Sequence, residues 1–528
     1  MSVPEGLLGP PAPSDRWRTA AYATGVGLLA GFLRLRDLGR PAELVFDETY
    51  YAKDAWALRT TGVKRRWSED ADDRILAGDL SGLTDEAIFD SHPPMGKWVI
   101  AAGEAVGGLT PTGWRIGVAV LGTLAAVVTV YLARRVTRST ALGLLAGLLV
   151  ALDGLAIVTS RIAVLDGILM FFVLVATTML VRDRDASRRT MVRRIVDRQA
   201  RLAPTGGSTV AASAPAPVPV PLWRPWRLLM GVALGLACAT KWSGAPVLAV
   251  FGVMTVVWQA GALAQAGCRR PVRRALLVDA PMAFVTVVGA AVATYLASWA
   301  SWFTTPDGYA RQWAAQNPAS GPLADLVPDA LRSLWHYHAV AYDLLSNLDA
   351  THNWQSSPLG WLVLERPVLF FRDRPGLGES GCTANECVAD ILGLGNPVVW
   401  WLGAAAALFM VWRAAGRDDW RGWLVVGGVA ATWLPWFTYT DRPIFSSYAI
   451  VSLPFLVLAI VVALRVLPDA AAAVGPAVAV RGRRQMTVLG VGIVVATAVS
   501  ALYFWPIWVG DPLSLEDWRL RIWLPGWS

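Results

Sequence analysis

Lys97-Trp98-Val99-Ile100-Ala101-Ala102-Gly103-Glu104-Ala105-Val106-Gly107-Gly108 is a short apolar run, and whether it crosses a membrane decides the map of the whole chain. A spanning helix needs roughly 20 apolar residues, so this stretch reads as an interfacial or re-entrant helix. Charge supports that reading. If 97–108 does not cross, the next spans fall near 114–133, 140–159 and 162–181. Arg134, Arg135 and Arg138 then face the cytoplasm, and so does the 182–227 segment with its ten Arg and three Asp. If 97–108 crossed, both basic clusters would lie outside, against the positive-inside rule.

Composition sets the class. The chain has 528 residues, 55% hydrophobic and 16% charged, with a mean hydropathy of +0.45. Soluble domains carry about 25% charged residues, so this is an integral membrane protein. The net charge of +8 gathers in short clusters between apolar runs. That is a topology signal, and it excludes a nucleic-acid partner. Arginine outnumbers lysine 43 to 4, and Lys53, Lys97 and Lys241 all fall in polar stretches beside apolar ones.

The expected architecture is all-α and polytopic, with about eleven spans. Residues 1–15 are Pro-rich and read as a disordered cytoplasmic tail. A retained first helix from about Ala20 to Leu33 opens a membrane domain over 16–505, and a first outer loop covers 36–113. The 182–227 segment ends in an Ala/Pro/Val run (Ala211 to Pro221) and reads as a flexible cytoplasmic linker. Arg227 to Ala260 is too long for one span and carries Thr240-Lys241-Trp242-Ser243-Gly244 at its middle. It reads as two short helices meeting near the outer surface, with Lys241 at the turn. A span near 279–300 leads into a large outer loop, 301–393, and further spans lie near 395–412, 421–437, 445–465 and 487–505. Residues 506–528 are left as an extracytoplasmic tail. On this map all four histidines lie outside, as do Cys382 and Cys387, whose spacing allows a disulfide in an oxidising compartment.

Polar groups collect on the same outer face. Val45-Phe46-Asp47-Glu48-Thr49-Tyr50-Tyr51-Ala52-Lys53-Asp54 sets two carboxylates at the edge of the first span. They read either as a helix cap or as a functional site. His92-Pro93-Pro94 with Lys97, Lys241, and Asp441-Arg442 share their side. Arg115 and the Ser160-Arg161…Asp166 set stand at span ends. Their structural reading is snorkelling arginines and an Arg161–Asp166 pair. Their functional reading is a carboxylate that deprotonates a nucleophile while cations hold a leaving phosphate. Asp70-Ala71-Asp72 and Asp183-Arg184-Asp185 read as solvated charge, and no metal site is indicated.

Six stretches in order carry a resemblance. Val45 to Tyr51, Ser91 to Lys97, Ser160 to Asp166, Thr240 to Gly244, His352…Ser356-Ser357-Pro358 and Asp441 to Tyr448 resemble the protein O-mannosyltransferase family in its actinobacterial form, over about 19–505. The resemblance implies a C-type membrane glycosyltransferase fold in the plasma membrane, with its active site on the extracytoplasmic face. It implies transfer of mannose from polyprenyl-phosphate mannose to Ser or Thr of unfolded secretory polypeptides, with inversion and a possible link to the secretion channel. No cofactor is implied, and metal dependence is left open. By the family pattern Asp47 is the base and Glu48 its support, and Arg34 and Arg115 lie near the site. Lys241, Arg161 and Arg442 are candidates for holding the phosphate, and His92 and Lys97 complete the donor set. The β-trefoil insertion of eukaryotic relatives does not fit a loop of about 90 residues. Rival readings are a polyprenyl-phosphate-sugar transferase acting on a glycan or lipid, and a transporter. The His-Pro-Pro and Lys-Trp-Ser-Gly stretches favour the protein mannosyltransferase over the first. The one-sided polar groups, without internal repeats, disfavour the second.

Overall fold

The computed structural model describes residues 7, 8, 11, 13–202, 218–318, 326–347, 350–417 and 419–528. Ten helices build the first half: α1 (Arg16–Leu35), α2 (Glu48–Thr61), α3 (Ala71–Leu76), α4 (Met95–Gly107), α5 (Pro111–Thr137), α6 (Thr140–Ala151), α7 (Gly154–Arg161), α8 (Leu165–Leu202), α9 (Pro225–Thr240) and α10 (Ala245–Gln265). The second half adds long helices at Pro271–Ser298, Pro397–Arg417, Trp420–Trp433, Leu453–Val474 and Pro476–Val509. Among the described residues, seven helices are long and apolar enough to cross a membrane, or up to eight if α6 and α7, bent by 56° at Leu152-Asp153, form one span. Asp153 makes that bend. It caps α7 by accepting from the Ala156 N–H at 2.9 Å, and it also accepts from the Asn396 N–H and the Trp400 indole.

The decisive run 97–108 falls in α4, which has 13 residues. At 1.5 Å per residue it is about 20 Å long, short of the roughly 30 Å hydrocarbon core. It lies against α5 at backbone distance because both helices carry glycine at the contact. A Cβ on Gly103 would sit 2.5 Å from the Gly113 carbonyl oxygen, and one on Gly117 would sit 2.3 Å from that of Val99. Small residues of this kind let helices approach closely without a hydrophobic driving force.

The break at Lys241 is real. α9 ends at Thr240, Lys241 is extended (φ −156°, ψ 138°), one 3-10 turn covers Trp242–Gly244, and α10 follows. Trp242 pins this break by donating to the Tyr295 hydroxyl at 3.1 Å and stacking on His338.

Two small sheets sit on the loops. β1 (Arg65–Trp67) pairs with β2 (Leu83–Ala87), and β3 (Leu369–Asp373), β4 (Cys387–Leu392) and β5 (Leu513–Ser514) form a second antiparallel sheet in that order. A disulfide joins Cys382 to Cys387 at the start of β4.

Three segments differ from the sequence reading. α8 runs on to Leu202, so the expected linker is helical from 182. The first charges of that segment are paired: Asp183 binds Arg224, Asp185 binds Arg135 and Arg138, and Arg182 lies over Trp226, while Arg189, Arg193 and Asp197 are exposed. The same contacts remove Asp183-Arg184-Asp185 from solvent. At the N-terminus, Leu7 is fully buried in a cluster with Met191 and Val220, although it falls in the expected tail. The rest of that tail falls partly, and most of Ala211 to Pro221 wholly, outside the described residues. At the other end 506–528 packs on the protein. Pro476–Val509 continues past 505, Trp518 donates to Asp390 at 2.8 Å, and Trp527 is fully buried with its indole on the Leu364 carbonyl.

Candidate active site

The chain enters α2 through a bend that separates the two carboxylates. Phe46 has φ +52°, a left-handed conformation that bulky residues rarely adopt. Three rings hold it there: Phe370 at 5.1 Å, Phe445 at 5.9 Å and His352 at 6.0 Å, all edge-on. Asp47 then takes the N-cap position of α2, and Glu48 opens the helix on its inner side.

Glu48 is fully buried and fully occupied. It accepts from Arg115 Nε at 2.8 Å and Nη2 at 2.7 Å, from the Val45 N–H at 2.9 Å and from the Ala163 N–H at 2.8 Å. Arg115 also donates to the carbonyls of Leu38, Pro41 and Glu43. This knot ties the first outer loop, the start of α2, α5 and the α7–α8 link together. A carboxylate with four N–H donors has no lone pair left for a substrate proton. Glu48 is therefore a positioning residue, and Arg115 is not open to a donor phosphate.

Asp47 has the opposite surroundings. It is partly buried and has no arginine partner. Burial pushes its carboxyl up to about 6, less the opposing pull of Lys241 and a hydrogen bond with Tyr51, and with a further push from Asp166. A carboxylate of this kind is ionised at neutral pH and basic enough to take a proton.

Beside it stands an ion pair. Lys241 Nζ lies 2.8 Å from Asp166 Oδ1, in the first turn of α8, and 3.7 Å over the Tyr448 ring. Burial disfavours the Lys241 ammonium, but Asp166, then Tyr448 and Asp47, raise its pKa above the ordinary lysine value. One of three N–H donors meets Asp166, which leaves two for a ligand. His92 completes the group. Its ring faces Tyr51, and burial, then the charges of Lys241 and Lys97, drive its pKa well below the ordinary value, so the imidazole is neutral. Arg442 acts electrostatically on both His92 and Tyr448. Its Nη1 donates to the Leu345 carbonyl at 2.7 Å, and its buried Nε has no protein partner.

Of the seven residues expected to bind the donor, three stand here: Lys241, His92 and Arg442. The other four are placed differently. Arg34 is fully buried and closes the end of α6 by donating to the Val150 and Ala151 carbonyls. Arg161 closes the end of α1, donating to the carbonyls of Leu33, Arg34, Arg36 and Asp37, and lines a separate cleft of about 540 Å³ with Arg40 and Asp511. It does not pair with Asp166. Lys97 is buried against Asp90 and the His92 carbonyl. Helix ends buried in a membrane need donors for their last carbonyls, and arginine, with five N–H groups on a planar fork, meets several at once.

Two contributors, Tyr51 and Tyr448, are not singled out by the sequence, and Asp166 is, in the Ser160-Arg161…Asp166 set, but with Arg161 as its structural partner. The rarity of lysine is the one signal in the sequence, and the partners come from the fold. All four lysines pair with an aspartate: Lys53 with Asp72, Lys64 with Asp54, Lys97 with Asp90 and Lys241 with Asp166. The Asp72 contact also shows that Asp70-Ala71-Asp72 is not free charge.

Comparison with known proteins places these features in a lineage. Residues 108–194 match the family model described as dolichyl-phosphate-mannose-protein mannosyltransferase. Residues 330–527 match that of the C-terminal four-transmembrane region of protein-O-mannosyltransferase. A Mycolicibacterium smegmatis protein named polyprenol-phosphate-mannose–protein mannosyltransferase is 36% identical over 544 residues, covering 99% of this chain and 95% of its own. A Mycobacterium tuberculosis protein of the same name is 35% identical over 542 residues, covering 99% and 94%. Among solved structures, the S. cerevisiae protein O-mannosyltransferase Pmt1–Pmt2 complex bound to the sugar donor superposes with a TM-score of 0.71 at 13% identity, covering 98% of this chain and 93% of that one. At that identity the likeness concerns the fold.

Proposed function

The chain belongs to the polyprenol-phosphate-mannose–protein mannosyltransferase family, and from that premise we propose that its Asp47–Lys241–Asp166 group transfers mannose from a polyprenyl phosphate to Ser or Thr hydroxyls of proteins. The observation that carries the reading is the pairing of unlike environments at one membrane edge. Asp47 has a carboxyl raised to about 6 and no cation bonded to it, next to a lysine with two donors unused.

The step balances on these residues. The acceptor oxygen attacks C1 of mannose as the C1–O bond to phosphate breaks on the opposite face, so a β-linked donor gives an α-mannosyl product. Asp47 takes the hydroxyl proton, since a neutral alcohol is a poor nucleophile. The phosphate leaves with the bonding pair, and Lys241 and Arg442 stabilise its charge from fixed positions. His92, held neutral, can donate one hydrogen bond without adding charge. Tyr51 keeps the Asp47 carboxylate oriented, and Glu48 with Arg115 fixes the turn that carries it.

The remaining features follow the charge map. The chain crosses the membrane about eleven times, α1, α9 and Trp420–Trp433 adding to the long apolar helices, and the site faces the extracytoplasmic side of the plasma membrane. The acceptor is an unfolded secretory polypeptide. Membranes from an expressing strain, given polyprenyl phosphate carrying radiolabelled mannose and a Ser/Thr-rich peptide, test the proposal. Label on the peptide is expected; label found only on lipid or glycan would sink the protein acceptor.

A further inference from the structure

An apolar cavity of about 760 Å³ lies between α10 and Trp420–Trp433, far from the carboxylate site. Val253, Val257 and Gly261 form one wall, spaced four apart on a single helix face, and Val426, Gly427 and Ala430 form the other. Val253 and Val257 are more than half exposed, so the cavity opens toward lipid. A Cβ on Gly261 would meet nothing within 4 Å, so the groove is open at that end, whereas the walls close on each other at Gly427, where a Cβ would sit 2.6 Å from the Met254 methyl.

One end of this groove is cationic. Arg184 and Arg188, one turn apart on α8, line it; the buried Nε of each has no protein partner, while Arg188 Nη1 donates to the Gln265 side chain at 2.9 Å and to the Leu7 carbonyl at 3.3 Å. Arg184 stacks 3.9 Å over Trp420 and 5.7 Å from Trp258. The nearby carboxylates are engaged by other arginines, Asp185 by Arg135 and Arg138, and Asp419 by Arg413 and Arg421. Arg184 reaches Asp185 only at 3.6 Å. Among the described residues the neighbourhood therefore keeps a positive excess. Trp258, Trp420 and Trp423 mark the depth at which headgroups lie.

The depth fixes the leaflet. Asp166 and Arg184 are eighteen residues apart on one helix, or about 27 Å, close to one hydrocarbon thickness. The cavity thus opens to the leaflet opposite the Asp47 site, which is the cytoplasmic one on the positive-inside map.

We propose that this cavity binds an anionic diacyl phospholipid of the cytoplasmic leaflet, its phosphate on Arg184 and Arg188 and one acyl chain in the groove. Basic pockets between membrane helices on that side suit such headgroups, and arginine suits phosphate. The apolar walls supply the second half of the recognition.

The full chain, extracted in mild detergent, is tested by native mass spectrometry against phosphatidylglycerol, phosphatidylcholine and polyprenyl phosphate. Wild type is expected to hold phosphatidylglycerol at least tenfold more tightly than phosphatidylcholine. Arg184→Gln/Arg188→Gln should lose that preference, and Gly261→Leu should weaken retention by filling the groove. A diazirine-bearing phosphatidylglycerol, cross-linked to wild type, should label 253–261 and 423–430, a readout that needs no variant. Equal retention of the two phospholipids, unchanged phosphatidylglycerol retention in folded variants, retention of polyprenyl phosphate that falls with Arg184→Gln/Arg188→Gln as far as that of phosphatidylglycerol, or labelling elsewhere would each overturn the proposal.

Discussion

Asp47 and Glu48 are neighbours in sequence with opposite duties, so neutralising them should move stability in opposite directions. Glu48→Gln keeps the shape but replaces one acceptor oxygen by an NH2 group. Of the four N–H donors now bound at 2.7–2.9 Å, at least two would face that group, and Arg115 would keep a buried charge with no counter-ion. Breaking one side of a buried pair costs about 3–5 kcal/mol. Asp47→Asn works the other way. The carboxyl rises from 3.8 to about 6 on folding. A raised carboxyl pKa means that the folded state holds its proton more tightly than the unfolded one. Wild type therefore loses stability as pH rises from 3.8 to 6 and stays lower above that, by about 1.36 kcal/mol per unit or about 3 kcal/mol. Asn removes this penalty, so the variant should be more stable at pH 7.5 by up to about 3 kcal/mol, with the gain fading below pH 6. Thermal unfolding followed by tryptophan fluorescence measures both signs. Transfer assays give the second axis: Asp47→Asn should lose activity by at least a thousandfold, whereas folded Glu48→Gln should keep an acid limb in kcat/KM near pH 6. The reasoning fails if Glu48→Gln is as stable as wild type and has no acid limb, or if Asp47→Asn transfers mannose undiminished.

Lys241 should set both donor affinity and the base. Lys241→Gln removes the cation that lowers the Asp47 carboxyl, so the acid limb should move above pH 6 while the donor KM rises at least tenfold. Lys241→Arg should keep the limb near 6 yet still weaken donor binding, because a guanidinium forked onto Asp166 fixes its remaining N–H groups in one plane, where the rotating ammonium could aim its free donors; normal donor KM in this variant would show that charge alone suffices. Arg161→Gln should destabilise the protein by about 2–4 kcal/mol, since carbonyls at the end of α1 lose their donor, and folded enzyme should keep its donor KM. Truncation after Gly510 removes buried Trp527 and the Trp518–Asp390 contact. A yield of folded protein equal to wild type would show that this segment is dispensable.

Membrane helices were legible because the bilayer imposes a length and a charge bias, both readable without a partner residue. The break at Lys241 was legible for the same reason, since a lysine within 34 apolar residues conflicts with a single span. What sequence could not give was pairing. Arg161 and Asp166 are five apart and of opposite sign, so they read as partners. They diverge because Arg161 ends α7, pointing to the carbonyls of α1, while Asp166 opens α8 toward α9. The start of the 182–202 stretch differs from its reading as solvated charge because Asp183 and Asp185 meet arginines from other segments and Arg182 and Arg184 meet tryptophan rings, which turns that charge into packing. The C-terminal residues follow the last span and read as a tail, and only the fold shows that Trp527 is covered.

The split between arginine and lysine then has a physical reason. Inside a bilayer a helix that stops short leaves carbonyls that water cannot reach, each costing several kcal/mol. Arg34 and Arg161 answer that need at the ends of α6 and α1, and Arg115 meets the loop carbonyls of Leu38, Pro41 and Glu43, each planar fork holding several oxygens. Such an arginine is fixed by the backbone oxygens it serves, which makes it a poor phosphate ligand however close it lies to the site. A lysine bound to one aspartate keeps two donors and a rotating ammonium. In a chain where lysine is rare, Lys241 on the proposed reading stands where a charge meets a phosphate that arrives and leaves, and the arginines around it hold the backbone that brings Asp47 there.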